Sequence, residues 1–201
     1  LEVMGRHAGW IAAASALAST NETDPPHIIL MPEVPFMKKK FIDKVKQTVA
    51  DEGFCVVVAS EGTRYKNGMF LADSGLTDAF GHKQLGGVAP VLAQMISSIG
   101  LKNHWAVSDY LQRSARHISS KTDLDQAYAV GKKAVEFALA GKNAVMPVIK
   151  RLNNKPYKWK IESASLSKVA NVEKTLPKSY ISRDGFGITK KGIEYLKPLI
   201  Q

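Results

Sequence analysis

The sequence has 201 residues, of which 45% are hydrophobic and 23% are charged, a composition typical of a globular chain that can bury a core. The single cysteine, Cys55, excludes an internal disulfide framework and fits a reducing compartment. No apolar stretch reaches the length of a bilayer span, and no signal peptide is recognisable. We therefore expect a cytoplasmic protein with no membrane partner.

Positive charge is concentrated towards the carboxyl end. The net charge is +10, and residues 150–201 contain twelve Lys and Arg against four acidic residues, which places +8 there. Such a tail can neutralise nucleic-acid phosphates. Its aromatic residues follow no recognition-module pattern, however. We therefore expect no nucleic-acid partner and interpret the tail as a solvated basic surface, or one that meets an acidic surface elsewhere.

Apolar strands alternate with helical segments in the first part of the chain. The pattern predicts a helix over residues 8–19, a buried strand over 27–31, a helix over 36–51 and a second buried strand over 54–59. Gly53 is expected to end the second helix. This alternation predicts an α/β fold with a parallel sheet.

The middle of the chain is less regular. The turn at Asn67-Gly68 predicts a loop that runs to Gly81. A helix is then predicted over 88–99, and residues 104–111 are expected to be extended or a loop.

A long helix dominates the pattern that follows. Asp123 is expected to cap its start, with Gln126 as the capping-box partner, and Gly141 to end it. A third strand is predicted over 144–149. The remainder is predicted to contain short strands and a last helix capped by Thr189.

Two charged residues follow predicted strands directly. Arg6 lies in a Gly-containing turn between an apolar strand end and an Ala-rich helix, an arrangement typical of an anion pocket. Glu61 follows the strand over 54–59, and an ionised carboxylate there would accept hydrogen bonds from the hydroxyls of a polyol. Both residues also fit ordinary surface positions. Their shared place at strand ends favours one common site.

The densest polar cluster covers residues 109–117. Arg113 and Arg116 could form forked donor pairs to a phosphate, although a basic loop would look much the same. The carboxylates at 122–125 are better explained by helix capping. No His or Cys has the spacing of metal ligands, so no metal site is predicted in this chain.

Several motifs, in order, resemble the phosphofructokinase family. Residues 2–9, Glu-Val-Met-Gly-Arg-His-Ala-Gly, resemble the fructose 6-phosphate-binding signature of that family. Further similar stretches are Met31-Pro32-Glu33, Ser60-Glu61-Gly62 and residues 80–87, 110–114 and 184–189. The last three are similar to the pyrophosphate-dependent branch.

The resemblance implies a role for each matching residue. Met4 and Gly5 would contact the sugar phosphate through backbone, Arg6 would neutralise charge on the transferred phosphoryl group as the catalytic residue, Glu61 would hold sugar hydroxyls, and Tyr110 and Arg113 would grip the 6-phosphate. His104 stands where many relatives have a phosphate-binding arginine, but its charge depends on pH near neutrality.

The donor is indicated by one departure from the family pattern. Ser114-Ala115 replaces the Gly-Gly that ATP-dependent members usually show, which favours pyrophosphate as the donor in a glycolytic phosphotransferase. An ATP-dependent 6-phosphofructokinase and a non-catalytic sugar-phosphate-binding or regulatory subunit remain as alternatives.

The resemblance also implies that an amino-terminal half is missing. The donor loop of the family and its Thr-Ile-Asp-Asn-Asp motif, which carries the catalytic base, precede the Met-Gly-Arg segment and do not occur here. We therefore expect an incomplete three-layer α/β fold that holds the acceptor site and is inactive alone. Mg²⁺ and the donor would be bound mainly by the missing half, and the whole protein is expected to be a homo-oligomer.

The same resemblance suggests two domains. Residues 1–108 would form a sugar-phosphate-binding α/β domain. Residues 109–201 would supply a long helix, a returning strand and a basic extension that pack on the missing donor-binding domain.

Overall fold

The computed structural model describes residues 1–21, 23–77, 83–85 and 87–201. The chain divides into two compact units, Leu1–Ser114 with Lys174–Ile193 and Ala115–Glu173 with Glu194–Gln201. Residues 109–114 and 174–193 thus belong with the first unit, whereas the sequence-based assignment placed everything after residue 108 in a second segment. The assignment of whole domains stays a prediction.

A three-stranded parallel sheet organises the first unit. Its strands are β1 (Glu2–Val3), β2 (Ile28–Leu30) and β3 (Val57–Ser60), in the order β1-β3-β2. β1 and β2 are buried along their whole length, as expected for parallel strands that are covered on both faces. Because the strands are parallel, the turns that follow all three lie at the same edge of the sheet.

Residues 106–108 extend this arrangement beside β1. Glu2 donates its backbone N–H to Ala106 O (2.9 Å), and Ser108 donates to Glu2 O (3.1 Å). Val107 therefore pairs with Glu2 in parallel. The residues after Ser108 consequently reach the edge of the sheet at which β1 and β3 end.

Among the described residues, four helices lie wholly within the first unit: α1 (Trp10–Ala14), α2 (Lys38–Glu52), α3 (Val88–Ser97) and α4 (Leu111–Ser114). The strands predicted over 27–31 and 54–59 and the helices predicted over 36–51 and 88–99 are confirmed as elements, with shifted ends. Gly53 ends α2 with a φ of 82°, as predicted. The helix predicted over 8–19 is instead the short α1 followed by a 3₁₀ turn.

The core of the first unit lies between the sheet and two of these helices. Phe41 and Val45 of α2 and Leu92 of α3 pack with Ile28 and the other buried apolar residues of the strands. Their 3.6-residue spacing is the pattern from which the two helices were predicted.

The loop predicted from Asn67 to Gly81 is wrong in part. Asp73–Thr77 forms β4, which pairs antiparallel with β5 (Lys83–Leu85). Its sequence, Asp-Ser-Gly-Leu-Thr, shows no clear alternation, so the pairing with β5 and not the hydrophobic pattern defines the strand. Residues 78–82 lie outside the described residues.

The second unit contains a helix and a hairpin. The helix α5 (Lys121–Leu139) packs on β6 (Val145–Asn154) and β7 (Tyr157–Ser165), which are antiparallel. The strand predicted over 144–149 is therefore the first half of β6, and it does not join the parallel sheet. Two short helices complete the chain, α6 (Leu166–Val169) and α7 (Lys190–Leu196).

The predicted amino-terminal caps of α5 and α7 differ in how well they agree with the structure. The predicted cap Asp123 is wrong, because the Ser120 Oγ accepts from Asp123 N at 3.0 Å and the helix begins at Lys121. Gln126 closes no capping box, since its side chain is buried and donates to Tyr157 Oη at 2.7 Å. Thr189 does cap α7, accepting from Gly192 N at 3.3 Å.

None of the helices formed by the described residues is long and apolar enough to cross a membrane.

Candidate functional site

Glu61 joins the turns that follow β1 and β3. Its Oε1 accepts hydrogen bonds from the backbone N–H groups of Gly5 (3.3 Å) and Arg6 (3.2 Å). Its own N–H donates to Val3 O at 2.9 Å. In the described part of the chain these side-chain bonds all fall on Oε1, so Oε2 is available to a ligand hydroxyl.

Two glycines allow these turns to touch. Gly5 has a φ of +149°, and a Cβ there would lie 2.8 Å from both Ala8 O and Ser60 Oγ. A Cβ on Gly62 would lie 1.4 Å from Arg6 O. Only glycine permits such a close approach, so these two glycines allow the turns after β1 and β3 to pack against each other.

Arg6 extends from the same turn and is half-buried. Its guanidinium makes no hydrogen bond or ion pair with any other described residue. A guanidinium presents five N–H donors in a planar fork that matches phosphate oxygens. Arg6 is therefore free to bind an anion at the carboxyl ends of the strands.

The helix α4 brings a second cationic group to the Met-Gly-Arg turn. Arg113 Nε donates to Met4 Sδ at 3.3 Å, and its guanidinium carbon lies 5.7 Å from the centre of the Tyr110 ring. The Tyr110 side chain is 70% exposed. The phenol and guanidinium can thus both reach a phosphate group.

A cavity of about 170 Å³ lies at this edge, and Met4, Glu61 and Asp109 are among the residues that line it. Carboxylate oxygens accept from hydroxyl groups, and guanidinium groups donate to phosphate oxygens. Glu61 lines the cavity, whereas Arg6 and Arg113 lie at the adjoining Met-Gly-Arg turn, and together these groups suit a ligand that carries both hydroxyls and phosphate. The structure thus brings together Met4, Gly5, Arg6, Glu61, Tyr110 and Arg113.

Residues 1–138 match the model of the family described as Phosphofructokinase. This chain belongs to the phosphofructokinase family. The match includes every residue of the candidate site, from Met4 to Arg113. It confirms the resemblance inferred from the sequence motifs.

Similar proteins match the whole chain. The pyrophosphate–fructose 6-phosphate 1-phosphotransferases of Halomonas elongata and Methylococcus capsulatus are 61% and 56% identical, and each alignment covers 100% of this chain and 48% of the relative. The crystal structure of a pyrophosphate-dependent phosphofructokinase from Marinobacter aquaeolei superposes with a TM-score of 0.85 at 56% identity, covering 99% of this chain and 46% of that one. The predicted phosphofructokinase-like α/β fold is confirmed, and the chain spans about half the length of these relatives.

The sequence singled out two further basic residues, His104 and Arg116. His104 precedes Val107 by three residues and lines a cavity of about 460 Å³ with Leu1 and Phe54, at the amino ends of the strands. Within one chain it therefore lies at the edge opposite Glu61. Arg116 belongs to the second unit.

Sequence reasoning assigned no role to several residues that hold the site in place. Glu33 Oε1 accepts from Gly9 N (3.0 Å) and Leu176 N (2.7 Å), which fixes the start of α1. The His7 ring stacks on Phe70, with ring centres 5.9 Å apart and planes 12° from parallel. The Pro-Glu after β2 was a possible signal for Glu33, whereas no local pattern pairs His7 with Phe70.

Glu2 has a structural role in the first unit. It is 2% exposed, and its carboxylate accepts from Gly87 N (3.0 Å) and Ala89 N (2.8 Å) at the start of α3. A carboxylate at a helix amino terminus is stabilised by the free N–H groups and by the helix dipole. Glu2 therefore anchors α3 to β1.

Gln112 was also missed, although it makes two hydrogen bonds at the site. Met4 N donates to its Oε1 at 3.3 Å, and its Nε2 donates to Asp109 O at 3.1 Å. It links the Met-Gly-Arg turn to the segment that carries Tyr110 and Arg113.

Proposed function

We propose that this chain forms the fructose 6-phosphate-binding part of a pyrophosphate-dependent phosphofructokinase. The whole protein would transfer a phosphoryl group from pyrophosphate to the 1-hydroxyl of fructose 6-phosphate, a step of glycolysis. The observation that carries the proposal is the meeting of Glu61 and Arg113 on one short turn, residues 4–6. Glu61 offers hydrogen-bond acceptors for sugar hydroxyls, and Arg113 offers hydrogen-bond donors for phosphate oxygens, within one site.

The residues suggest a division of labour along the substrate. Arg113 and the Tyr110 hydroxyl would bind the 6-phosphate, since charge-assisted hydrogen bonds to phosphate are strong. Glu61 Oε2 would accept from a sugar hydroxyl and orient the ring. Arg6 would stabilise negative charge on the transferred phosphoryl group, which is the main requirement of phosphoryl transfer.

The donor side is proposed to lie outside this chain. No group of three or more His, Cys, Asp or Glu side chains in the described residues could hold a metal ion, so these residues do not fit a magnesium site. We assign Mg²⁺ and pyrophosphate to the rest of the protein, and no step of this chain's chemistry depends on a metal ligand here. The isolated chain is therefore expected to be inactive.

The second unit supports a contact with that remaining part. Four apolar residues on the outer face of α5 are at least 41% exposed: Leu124, Tyr128, Val135 and Leu139. A continuous apolar stripe on a helix normally packs against another element. We propose that residues 109–201 contribute this face to packing on the donor-binding domain, in a homo-oligomeric cytoplasmic enzyme.

The decisive assay uses the longer protein that contains this chain, supplied with fructose 6-phosphate, Mg²⁺ and either pyrophosphate or ATP. We expect turnover with pyrophosphate, and none from the 201-residue chain alone. Turnover with ATP only would identify an ATP-dependent enzyme instead. Activity with neither donor would contradict the proposal, and fructose 6-phosphate binding without activity would favour a non-catalytic subunit.

Arg113→Ala tests the assignment of the 6-phosphate. Loss of a charge-assisted hydrogen bond costs about 1.5–3 kcal/mol, so the KM for fructose 6-phosphate should rise roughly 10- to 150-fold. The KM for pyrophosphate should not change. Arg183→Ala is the matched control, because Arg183 is exposed and lies outside the site. An unchanged KM for fructose 6-phosphate in Arg113→Ala would remove Arg113 from the site.

A further inference from the structure

Gln112 connects two segments that are far apart in the sequence. It is half-buried on α4, and its side-chain carboxamide uses its acceptor and its donor at once. Oε1 accepts from Met4 N (3.3 Å), while Nε2 donates to Asp109 O (3.1 Å). A carboxamide is a neutral side-chain group that offers a donor and an acceptor on separate atoms.

The first partner belongs to a turn that is held by side chains. Three successive backbone N–H groups, those of Met4, Gly5 and Arg6, all donate to side-chain oxygens. Glu61 holds the second and third, and Gln112 holds the first. Since Gly5 adds no side chain that could restrict the turn, these acceptors set its position.

The second partner is a residue in a restricted conformation. Asp109 has a φ of 41°, which is uncommon for a residue other than glycine. Its carbonyl accepts from both the backbone N–H of Gln112 (3.3 Å) and the side-chain Nε2 (3.1 Å). This conformation starts the turn that presents Tyr110 and Arg113.

We propose that Gln112 is a positioning residue that sets the distance between the Met4–Arg6 turn and the Tyr110–Arg113 turn, and thereby the affinity for the sugar phosphate. The identity of the ligand rests on the proposed function. Gln112 contacts no ligand in this proposal and acts through the backbone of Met4 and Asp109. Its effect is therefore on sugar-phosphate binding and not on the phosphoryl donor.

Gln112→Met removes both hydrogen bonds at nearly the same side-chain length. In the longer protein, we expect it to weaken fructose 6-phosphate binding about tenfold, the effect of losing one or two neutral hydrogen bonds. Binding is measured by calorimetry without donor, and the KM for pyrophosphate should stay unchanged. Gln47→Met is the matched control, because the exposed Gln47 side chain donates to Asp51 within α2 and lies away from the candidate site.

Gln112→Glu separates positioning from a general loss of structure. Its carboxylate still accepts from Met4 N but cannot donate to Asp109 O until it is protonated. The ratio of its affinity to that of the wild type should therefore improve as pH falls from about 8 to about 5, towards the ordinary glutamate pKa of about 4.3. Gln112→Met should show no such trend.

The outcomes distinguish this inference from the proposed function. If the wild-type protein binds no fructose 6-phosphate, the proposed function fails. If the wild type binds and Gln112→Met binds within twofold of it, the positioning role alone is overturned. If Gln112→Met does not fold, the test rests on Gln112→Glu. An affinity ratio of Gln112→Glu to the wild type that does not change with pH would then overturn the positioning role of Gln112.

Discussion

The two units of this chain differ in how much of their apolar surface they bury. The first unit surrounds a parallel sheet with α2 and α3, and Ile28, Phe41 and Val88 are fully buried. In the second unit, among the residues that the structure describes, the buried apolar side chains are those of Phe137, Leu196 and Pro198. The helix α5 packs one face on the hairpin and leaves an apolar face exposed.

In the second unit, one arginine packs on two aromatic rings. The Arg151 guanidinium carbon lies 3.9 Å from the centre of the Tyr195 ring and 4.7 Å from that of Tyr157. Its Nη1 also donates to Tyr195 O at 2.8 Å. The comparison shows that the residues assigned to substrate lie in the unit with the larger core, which can hold them rigidly.

The largest expected effect is that of Gly62→Ala in the first unit. The new Cβ would lie 1.4 Å from Arg6 O, so one of the two turns must move. We expect a loss of about 3 kcal/mol or more in the free energy of unfolding, measured in urea.

Gly131→Ala in α5 is its counterpart in the second unit. Apart from the backbone of α5 itself, no described residue lies within 4 Å of a Cβ at Gly131, and alanine is the better helix former. It should raise stability by about 0.5–1 kcal/mol. Equal effects of the two changes would contradict the difference between the units.

Two valines compare the helices directly. Val45 of α2 is 2% exposed and Val135 of α5 is 61% exposed. Val45→Ala should destabilise the 201-residue chain by about 2–3 kcal/mol, because buried methyl groups are lost and a cavity remains. Val135→Ala should stay within about 0.5 kcal/mol of the wild type.

The same two variants test whether the exposed face of α5 packs against the rest of the longer protein. In the longer protein, Val135→Ala should become destabilising by about 1 kcal/mol or more, since the face would then be buried. The measurement is urea unfolding of both lengths. A Val135→Ala effect that is equally small in both would exclude α5's outer face as a packing surface.

A smaller effect tests the start of α5. Ser120→Ala removes the oxygen that accepts from Asp123 N and should cost about 1 kcal/mol in thermal unfolding. Asp123→Ala should cost less, about 0.3–0.5 kcal/mol, because its carboxylate only complements the helix dipole. The reverse order would restore Asp123 as the cap.

The smallest expected effect is the pH dependence that the half-buried Cys55 thiol gives to the stability of the first unit. Burial raises the pKa of the Cys55 thiol to about 11, so the folded protein favours the neutral form. The contribution of the Cys55 thiol to the free energy of unfolding is fully present below its unfolded pKa of about 9. It is lost as the pH rises from there to about 11.

Reaction of this single cysteine with a disulfide reagent provides the measurement. At pH 8 the folded chain should react roughly 10- to 100-fold more slowly than the urea-unfolded chain, since the thiolate is the nucleophile. Equal rates would show that the first unit does not shield Cys55.

Much of the first unit could be predicted because its signals are local. The apolar spacing of α2, the left-handed Gly53 that ends it and the apolar run before Glu61 each depend on a few neighbouring residues. The second unit was predicted less well. The long helix was found, but its cap was placed one turn late, because Ser120 and Asp123 are both good capping residues.

The candidate site was predicted only in part, because some of its residues are placed by contacts between distant segments. Arg6 and Glu61 could be proposed from their places after strands, since parallel strands end at one edge. Gln112 could not, because its partner Met4 lies 108 residues away. A glutamine in a short helix has no local feature that distinguishes it from a solvated one.

The α/β pattern, the strand-end placement of Arg6 and Glu61 and the family motifs could be read from the sequence, because each is encoded by residues close together in the chain. Only the tertiary structure decided that Glu61 binds the backbone of Gly5 and Arg6, that Gln112 links Met4 to Asp109, and that the strand after α5 forms a separate hairpin. These contacts join distant segments. Their geometry follows from how the elements pack, which no local pattern of residues records.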